Sequence, residues 1–130
     1  MKNDINHFQG KVEQLLIRHR SVLDSLSKYQ ETNARVNRAI TKTITFCGCL
    51  TVNATSQDIP EDASFKDLKD YTNSHLEGCL CEQCKDIIEE KIGNNLFYMA
   101  ALCNLLDLDM DDIIEKELDK ISTLGRFNLS

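Results

Sequence analysis

The sequence predicts an all-α fold: a four-helix bundle with an irregular loop and a short helix between its second and third helices. Three observations carry that reading. One proline, Pro60, and five glycines leave long stretches without a helix breaker. Apolar residues recur at spacings of three, four and seven along most of the chain. Hydrophobic residues make up 42% and charged residues 28%, the balance of a globular rather than a disordered chain. At 130 residues the chain reads as one domain (1–130), large enough to fold without disulfides.

The elements follow in order. Ile5, Phe8, Val12, Leu15, Leu16, Val22, Leu23 and Leu26 form one stripe of a long amphipathic first helix, with Asn3 or Asp4 able to cap it. A second helix is expected from about Lys28 to Thr45, with Val36, Ala39, Ile40, Thr43 and Ile44 inward. Cys47-Gly48-Cys49 ends that pattern, and residues 50–63 read as a loop because the residue before Pro60 avoids the helical region. Ser64 can cap a short helix carrying Phe65, Leu68 and Tyr71 and stopping near Gly78.

A third long helix is expected from Cys81. Ile87, Ile88, Ile92, Leu96, Phe97, Met99, Ala100, Cys103 and Leu106 give it an apolar face wide enough for burial on more than one side. Gly93 inside it suggests a close approach of another helix. Asp109 caps the last helix, Asp111 and Asp112 complement its dipole, and Gly125 is suited to stop it. Ile113, Ile114, Leu118 and Ile121 make its inward face. The third helix is too apolar for one short chain to cover, so a homodimer is expected.

Charge and hydropathy narrow the classes of function. No run approaches the roughly 18–20 apolar residues of a membrane span, and the first residues lack an apolar signal core, so a cytoplasmic protein with no membrane partner is expected. Residues 1–45 carry eight basic against four acidic residues, whereas the rest carry seven against seventeen. Such halves suit basic and acidic helices packed together, or a basic half facing an anion. A net charge of −6 without a concentrated basic run argues against nucleic acid.

Six cysteines are many for a reducing compartment, where they read as metal ligands, redox groups or core residues before disulfides. Five fall in two short motifs, Cys47-x-Cys49 and Cys79-x-Cys81-x-x-Cys84, each at a helix end. Four thiolates from Cys47, Cys49, Cys81 and Cys84 would suit a tetrahedral zinc ion, with Cys79 or His75 as substitutes. A dithiol redox pair at Cys81 and Cys84 is the competing reading, although no βαβ pattern surrounds it, and free thiols are the plain one. Cys103, between Leu102 and Leu105, belongs to the core. His19 is expected to flank the core, and Phe97 and Tyr98 to pack in it. The serines lack a base partner, so nucleophilic catalysis has no foothold.

The run Glu89-Glu90-Lys91-Ile92-Gly93-Asn94-Asn95-Leu96-Phe97-Tyr98-Met99-Ala100-Ala101-Leu102-Cys103-Asn104, followed by Leu108-Asp109-Met110, resembles the third and fourth helices of MazG-type nucleoside triphosphate pyrophosphohydrolases. The similarity covers residues 85–125 and extends more weakly over Lys28–Ile40; the whole chain also resembles a group of small uncharacterised bacterial proteins. The resemblance implies a MazG-like helical bundle, usually dimeric, that cleaves nucleoside triphosphates to monophosphate and pyrophosphate with magnesium. It further implies two Glu-x-x-Glu/Asp pairs on facing helices, because a hard cation takes oxygen ligands and residues three apart share a helix face.

This sequence departs from that pattern. Glu31 matches the first carboxylate, but Ala34 stands where its partner belongs. Aligning Gly93 with the family glycine puts Lys91 and Asn94 at the other acidic positions, with Glu90 one residue out of register. Magnesium is expected only if the carboxylate site is intact. The leading expectation is therefore a divergent, non-catalytic MazG-like protein that binds a nucleotide or regulates, through Glu31, Arg35, Arg38 and Asn94. One alternative is an active magnesium-dependent pyrophosphohydrolase using Glu31 and Glu90 in a rearranged site. The other is a zinc-stabilised protein-interaction module.

Overall fold

The computed structural model describes residues 2–17 and 20–128; the expectation for His19 lies outside the described residues. Among them the protein is mostly helical, with α1 (Lys2–Leu15), α2 (Val22–Lys42), α3 (Leu68–Tyr71), α4 (Glu82–Leu105) and α5 (Met110–Asn128). One two-stranded antiparallel sheet joins β1 (Leu50–Val52) to β2 (Leu76–Gly78), with Leu50 opposite Gly78 and Val52 opposite Leu76. The chain falls into two compact units, one of residues 1–37 and 89–130 and a smaller one of residues 38–88.

In the helical unit, the first apolar stripe is split. α1 ends at Leu15, and α2 starts at Val22 rather than Lys28, because the Ser21 hydroxyl accepts the Leu23 amide at 3.3 Å and caps the new helix. Val12, Leu16, Ala100, Ala101, Cys103 and Met110 form the buried core, with Ile5, Phe97, Tyr98 and Met99 packed against it. This bears out Cys103 as a core residue; burial also raises its thiol pKa.

The joint between α1 and α5 is polar. Gln9, 9% exposed, donates from Nε2 to Asn104 Oδ1 at 2.8 Å and to the Leu108 carbonyl at 2.7 Å. Its Oε1 accepts the Met110 amide at 2.9 Å, and Asn104 Nδ2 donates back to the Gln9 carbonyl at 3.1 Å. The seam between α2 and α4 is polar too: Asn95 Nδ2 donates to Thr32 Oγ1 at 3.1 Å and to the Tyr29 carbonyl at 3.2 Å. Small buried Ser25 and Thr32 thus stand where a run of large apolar residues would otherwise be needed.

Four expectations about the last two helices need correction. Ile87, Ile92 and Leu96 of α4 are 40–42% exposed, and Leu106, just past its end, is 61% exposed, so this wide apolar face is covered on one side only. Ile113, Ile114, Leu118 and Ile121 of α5 are 42–58% exposed instead of buried. A Cβ at Gly93 would meet nothing within 4 Å, so no close helix approach calls for that glycine. The last helix passes through Gly125 to Asn128, since glycine is tolerated within a helix when no other stop signal follows. Asp109 does cap α5, its Oδ1 accepting the Asp111 amide at 2.8 Å.

In the smaller unit, α2 gives way to a π-helical turn, Thr43–Cys47, closed by Gly48 at φ +83°, whose amide donates to the Thr43 carbonyl at 2.8 Å. The expected loop at 50–63 begins with a strand instead, because Leu50 is buried and pairs across to β2. The short helix is confined to Leu68–Tyr71, and β2 replaces its expected continuation towards Gly78. Ile40, expected inward on α2, is 41% exposed, whereas Thr43 is buried.

Candidate metal centre and the cleft of the helical unit

The smaller unit brings two helix ends together. Cys47 closes the π-helical turn, and left-handed Gly48 reverses the chain so that Cys49 follows on the approach to β1. Opposite, Gly78 at φ +92° ends β2; a Cβ there would overlap the Cys49 carbonyl oxygen, so only glycine lets the two segments lie this close. Cys81 then precedes α4, where its Sγ accepts the Cys84 amide at 3.4 Å in the manner of an N-cap.

The Sγ atoms of Cys47, Cys49, Cys81 and Cys84 all lie within 4.8 Å of one another. Those of Cys47 and Cys81 are 3.8 Å apart. A tetrahedral ion bound at about 2.3 Å from each sulfur sets the sulfurs about 3.8 Å apart, so this constellation has the size of a four-thiolate site. Each of these cysteines is a free thiol. The group could hold a metal ion, and its soft donors select a thiophilic one over magnesium or calcium.

The local electrostatics favour thiolate formation at one member. The Cys84 amide, followed by the Cys84 thiol, lowers Cys81 to about 7. The converse is that Cys84 is pushed up to about 12, first because its thiol donates to Cys81 and then by burial. The four residues that meet are the set favoured on the Cys47-x-Cys49 and Cys81-x-x-Cys84 motifs. Neither named substitute joins them. Cys79 is exposed outside the cluster. His75, at φ 62°, accepts the Thr55 amide on Nδ1 at 3.3 Å, and its Nε2 lies 3.0 Å from Gln57 Nε2. Gln57 also accepts the Asn73 amide at 3.1 Å and donates to the Asn73 carbonyl at 3.0 Å. His75 and Gln57 thus fasten the base of the loop leading into β2.

The helical unit carries a separate cleft of about 500 Å³. Lys28, Glu31, Thr32 and Arg35 line one side and Lys91, Gly93, Asn94, Phe97 and Tyr98 the other, with Phe8 at the edge. Glu31 is tied to Lys28 at 2.7 Å and to Arg35 at 3.5 Å. The Lys28 hydrogen bond and charge, then the Arg35 charge, hold its carboxyl below the usual carboxylate range. Lys28 Nζ also lies 5.8 Å from the centroid of the Tyr98 ring, which meets Phe97 edge-on at 5.1 Å. Lys91 is half-buried, with no ion pair among the described residues. Three cations therefore face one already paired carboxylate.

Of the residues expected to contact a nucleotide, Glu31, Arg35 and Asn94 line this cleft together. Arg38 is exposed and belongs to the smaller unit; Glu90 is exposed, one turn before Asn94, and does not line the cleft. Sequence reasoning missed Lys28 as a cationic cleft residue, although the three-residue spacing of Lys28 and Glu31 was there to be read; Lys91, singled out by the alignment, does line the cleft. The same reasoning missed Asn95, because nothing local distinguishes a seam asparagine from its neighbour. No helix among the described residues is long and apolar enough to cross a membrane. Comparison with family models, with curated proteins and with solved structures gives no match to this chain.

Proposed function

We propose that this protein is a zinc-stabilised, non-catalytic module of MazG-like type that binds a nucleotide in the α2–α4 cleft. The observation that carries this reading is the charge of the cleft. Glu31 is engaged by Lys28 and Arg35, and Lys91 and Asn94, which the MazG resemblance aligns with carboxylate positions, line the same cleft. Polyphosphate is itself the complement of such a surface: Arg35 can offer paired donors, while Lys28 and Lys91 offer point charges. Phe97 and Tyr98 supply the flat apolar wall that a base or sugar requires. The binding therefore needs no bridging divalent cation.

Zinc is the ion we assign to the four cysteines, because a tetrahedral thiolate set with no open position is its structural mode. Its role here is to fasten the end of α2 to the start of α4, not to activate water. A second reading, a zinc-stabilised protein-interaction module, is favoured by one feature of the smaller unit. Phe46 is 88% exposed beside a cleft of about 360 Å³ lined by Ala39, Thr43, Cys47, Cys84 and Ile87.

Calorimetric titration of the reduced, zinc-loaded chain with nucleoside triphosphates, with and without magnesium, tests the leading reading. Binding that survives chelation of magnesium and is lost in Lys91→Glu, without pyrophosphate release, is the expected result. Metal-dependent pyrophosphate release abolished by Glu31→Ala or Glu90→Ala would replace it with an active hydrolase. No binding by folded protein would leave the interaction module.

A further inference from the structure

The cysteine cluster is open to solvent on one side. Cys47 is exposed, whereas Cys49, Cys81 and Cys84 are half-buried. A filled four-thiolate site holds every sulfur as an anion, so acidity no longer ranks them as nucleophiles and access decides which one meets a reagent. That sulfur belongs to Cys47. It closes the π-helical turn, between Phe46, which is 88% exposed, and left-handed Gly48.

The neighbour placed to answer a reaction at Cys47 is Cys81, whose Sγ lies 3.8 Å away. A disulfide sets its sulfurs about 2.0 Å apart, so this pair has to close by about 1.8 Å. Residues 79–81 have no regular structure, and α4 begins only at Glu82, so no helix holds Cys81 back. Cys84, by contrast, rides on the first turn of α4. Cys47 and Cys81 also come from different segments, 34 residues apart in the chain. A bond between them ties the end of the π-helical turn to the start of α4, which is the joint that a metal in the cluster makes.

We propose that Cys47 is an oxidation site for hydroperoxides, and that its oxidation exchanges the bound metal for a Cys47–Cys81 disulfide. The inference rests on zinc occupying the four cysteines. The Cys47 thiolate attacks the terminal oxygen of the hydroperoxide. An S–O bond forms, the O–O bond breaks, and the alcohol (water, for hydrogen peroxide) leaves with a proton from solvent. Cys47 is then a sulfenic acid. The Cys81 thiolate attacks its sulfur, the S–S bond forms as the S–O bond breaks, and water leaves with a second proton from solvent. Each sulfur gives up one electron, and the hydroperoxide takes both. Zinc keeps only the thiolates of Cys49 and Cys84 and passes to solvent. The disulfide replaces the lost clamp, so the smaller unit keeps its fold and a dithiol with zinc reverses the exchange. The groove beside Phe46 is walled by Cys47 and Cys84, so its surface changes with the metal.

The test uses the reduced, zinc-loaded chain, analysed for bound metal and then treated with hydrogen peroxide. A metallochromic dye follows zinc, and tandem mass spectrometry of the unreduced digest locates the linkage. One zinc should appear per disulfide formed, the link should join Cys47 to Cys81, and the helical circular dichroism should persist. Dithiothreitol with zinc should restore the starting metal content. Cys79→Ser, which removes the exposed thiol outside the cluster, should release zinc at the wild-type rate. A chain that holds no zinc before oxidation overturns the metal reading, and this proposal with it. With zinc bound, the proposal alone is rejected by zinc retained after peroxide, by a link between other cysteines such as Cys81 and Cys84, by release that depends on Cys79, or by loss of the helical signal.

Discussion

Gln9 does for α5 what a capping residue usually does from within the same segment: from α1, its Oε1 accepts the Met110 amide at 2.9 Å. Nε2 binds the Leu108 carbonyl at 2.7 Å on the other side of the turn, so one side chain spans the connection between α4 and α5. Replacing it by alanine strands a buried amide and a carbonyl at once. Gln9→Ala should lose about 1–3 kcal/mol of stability in urea unfolding. Gln9→Glu keeps the acceptor for Met110 but sets a carboxylate oxygen against the Leu108 carbonyl and Asn104 Oδ1, so at neutral pH it should be at least as destabilising as Gln9→Ala.

The glycines should respond in opposite directions. At Gly93 a Cβ meets open space within α4, so Gly93→Ala should stabilise the chain by about 0.5–1 kcal/mol through lost freedom in the unfolded state. At Gly78 the positive φ and the Cys49 carbonyl both refuse a side chain. Gly78→Ala should lower thermal stability and weaken zinc retention against a chelator together, because the strained segment leads directly into Cys81. Thermal melts with paired metal analysis separate the two cases.

The metal-free, reduced chain should show a graded thiol reactivity. Cys81 is lowered to about 7 by the Cys84 amide and thiol, so its alkylation rate should climb as pH rises through that value. Cys84, pushed up to about 12, should react last at any ordinary pH. The sign is that of an acid whose charged form is stabilised: the thiolate fraction grows above the lowered pKa and vanishes below it. Peptide mapping after timed iodoacetamide treatment gives the order, and bound zinc should suppress both.

Much of this was legible in advance where the determining forces are local. The cysteine motifs contained the four residues that meet, and Asp109 was identified as a cap by its place before an apolar run. What escaped the sequence depends on one local competition and otherwise on contacts between distant residues. Ser21 breaks the first stripe although the apolar period runs straight through it, because capping outweighed periodicity. The strand at Leu50–Val52 is too short for any pattern and exists through its pairing with Leu76–Gly78. The α4 and α5 stripes were read as inward faces, since periodicity reports that a face is apolar but not whether the rest of the fold covers it. Lys91 was singled out by its place in the family alignment, whereas Lys28 drew no attention until the fold set it across a cleft from Lys91.

The segment between Cys49 and Cys81 is gathered at its base by the paired strands, with the four clustered cysteines beside them. A loop clamped in this way can change length with little penalty, since doubling its length adds only about 0.6 kcal/mol of closure entropy. The exposed stretch around Pro60 is accordingly the place where this chain can tolerate insertion, whether of an affinity tag, a fluorophore or a foreign domain, while the helices on either side keep their register.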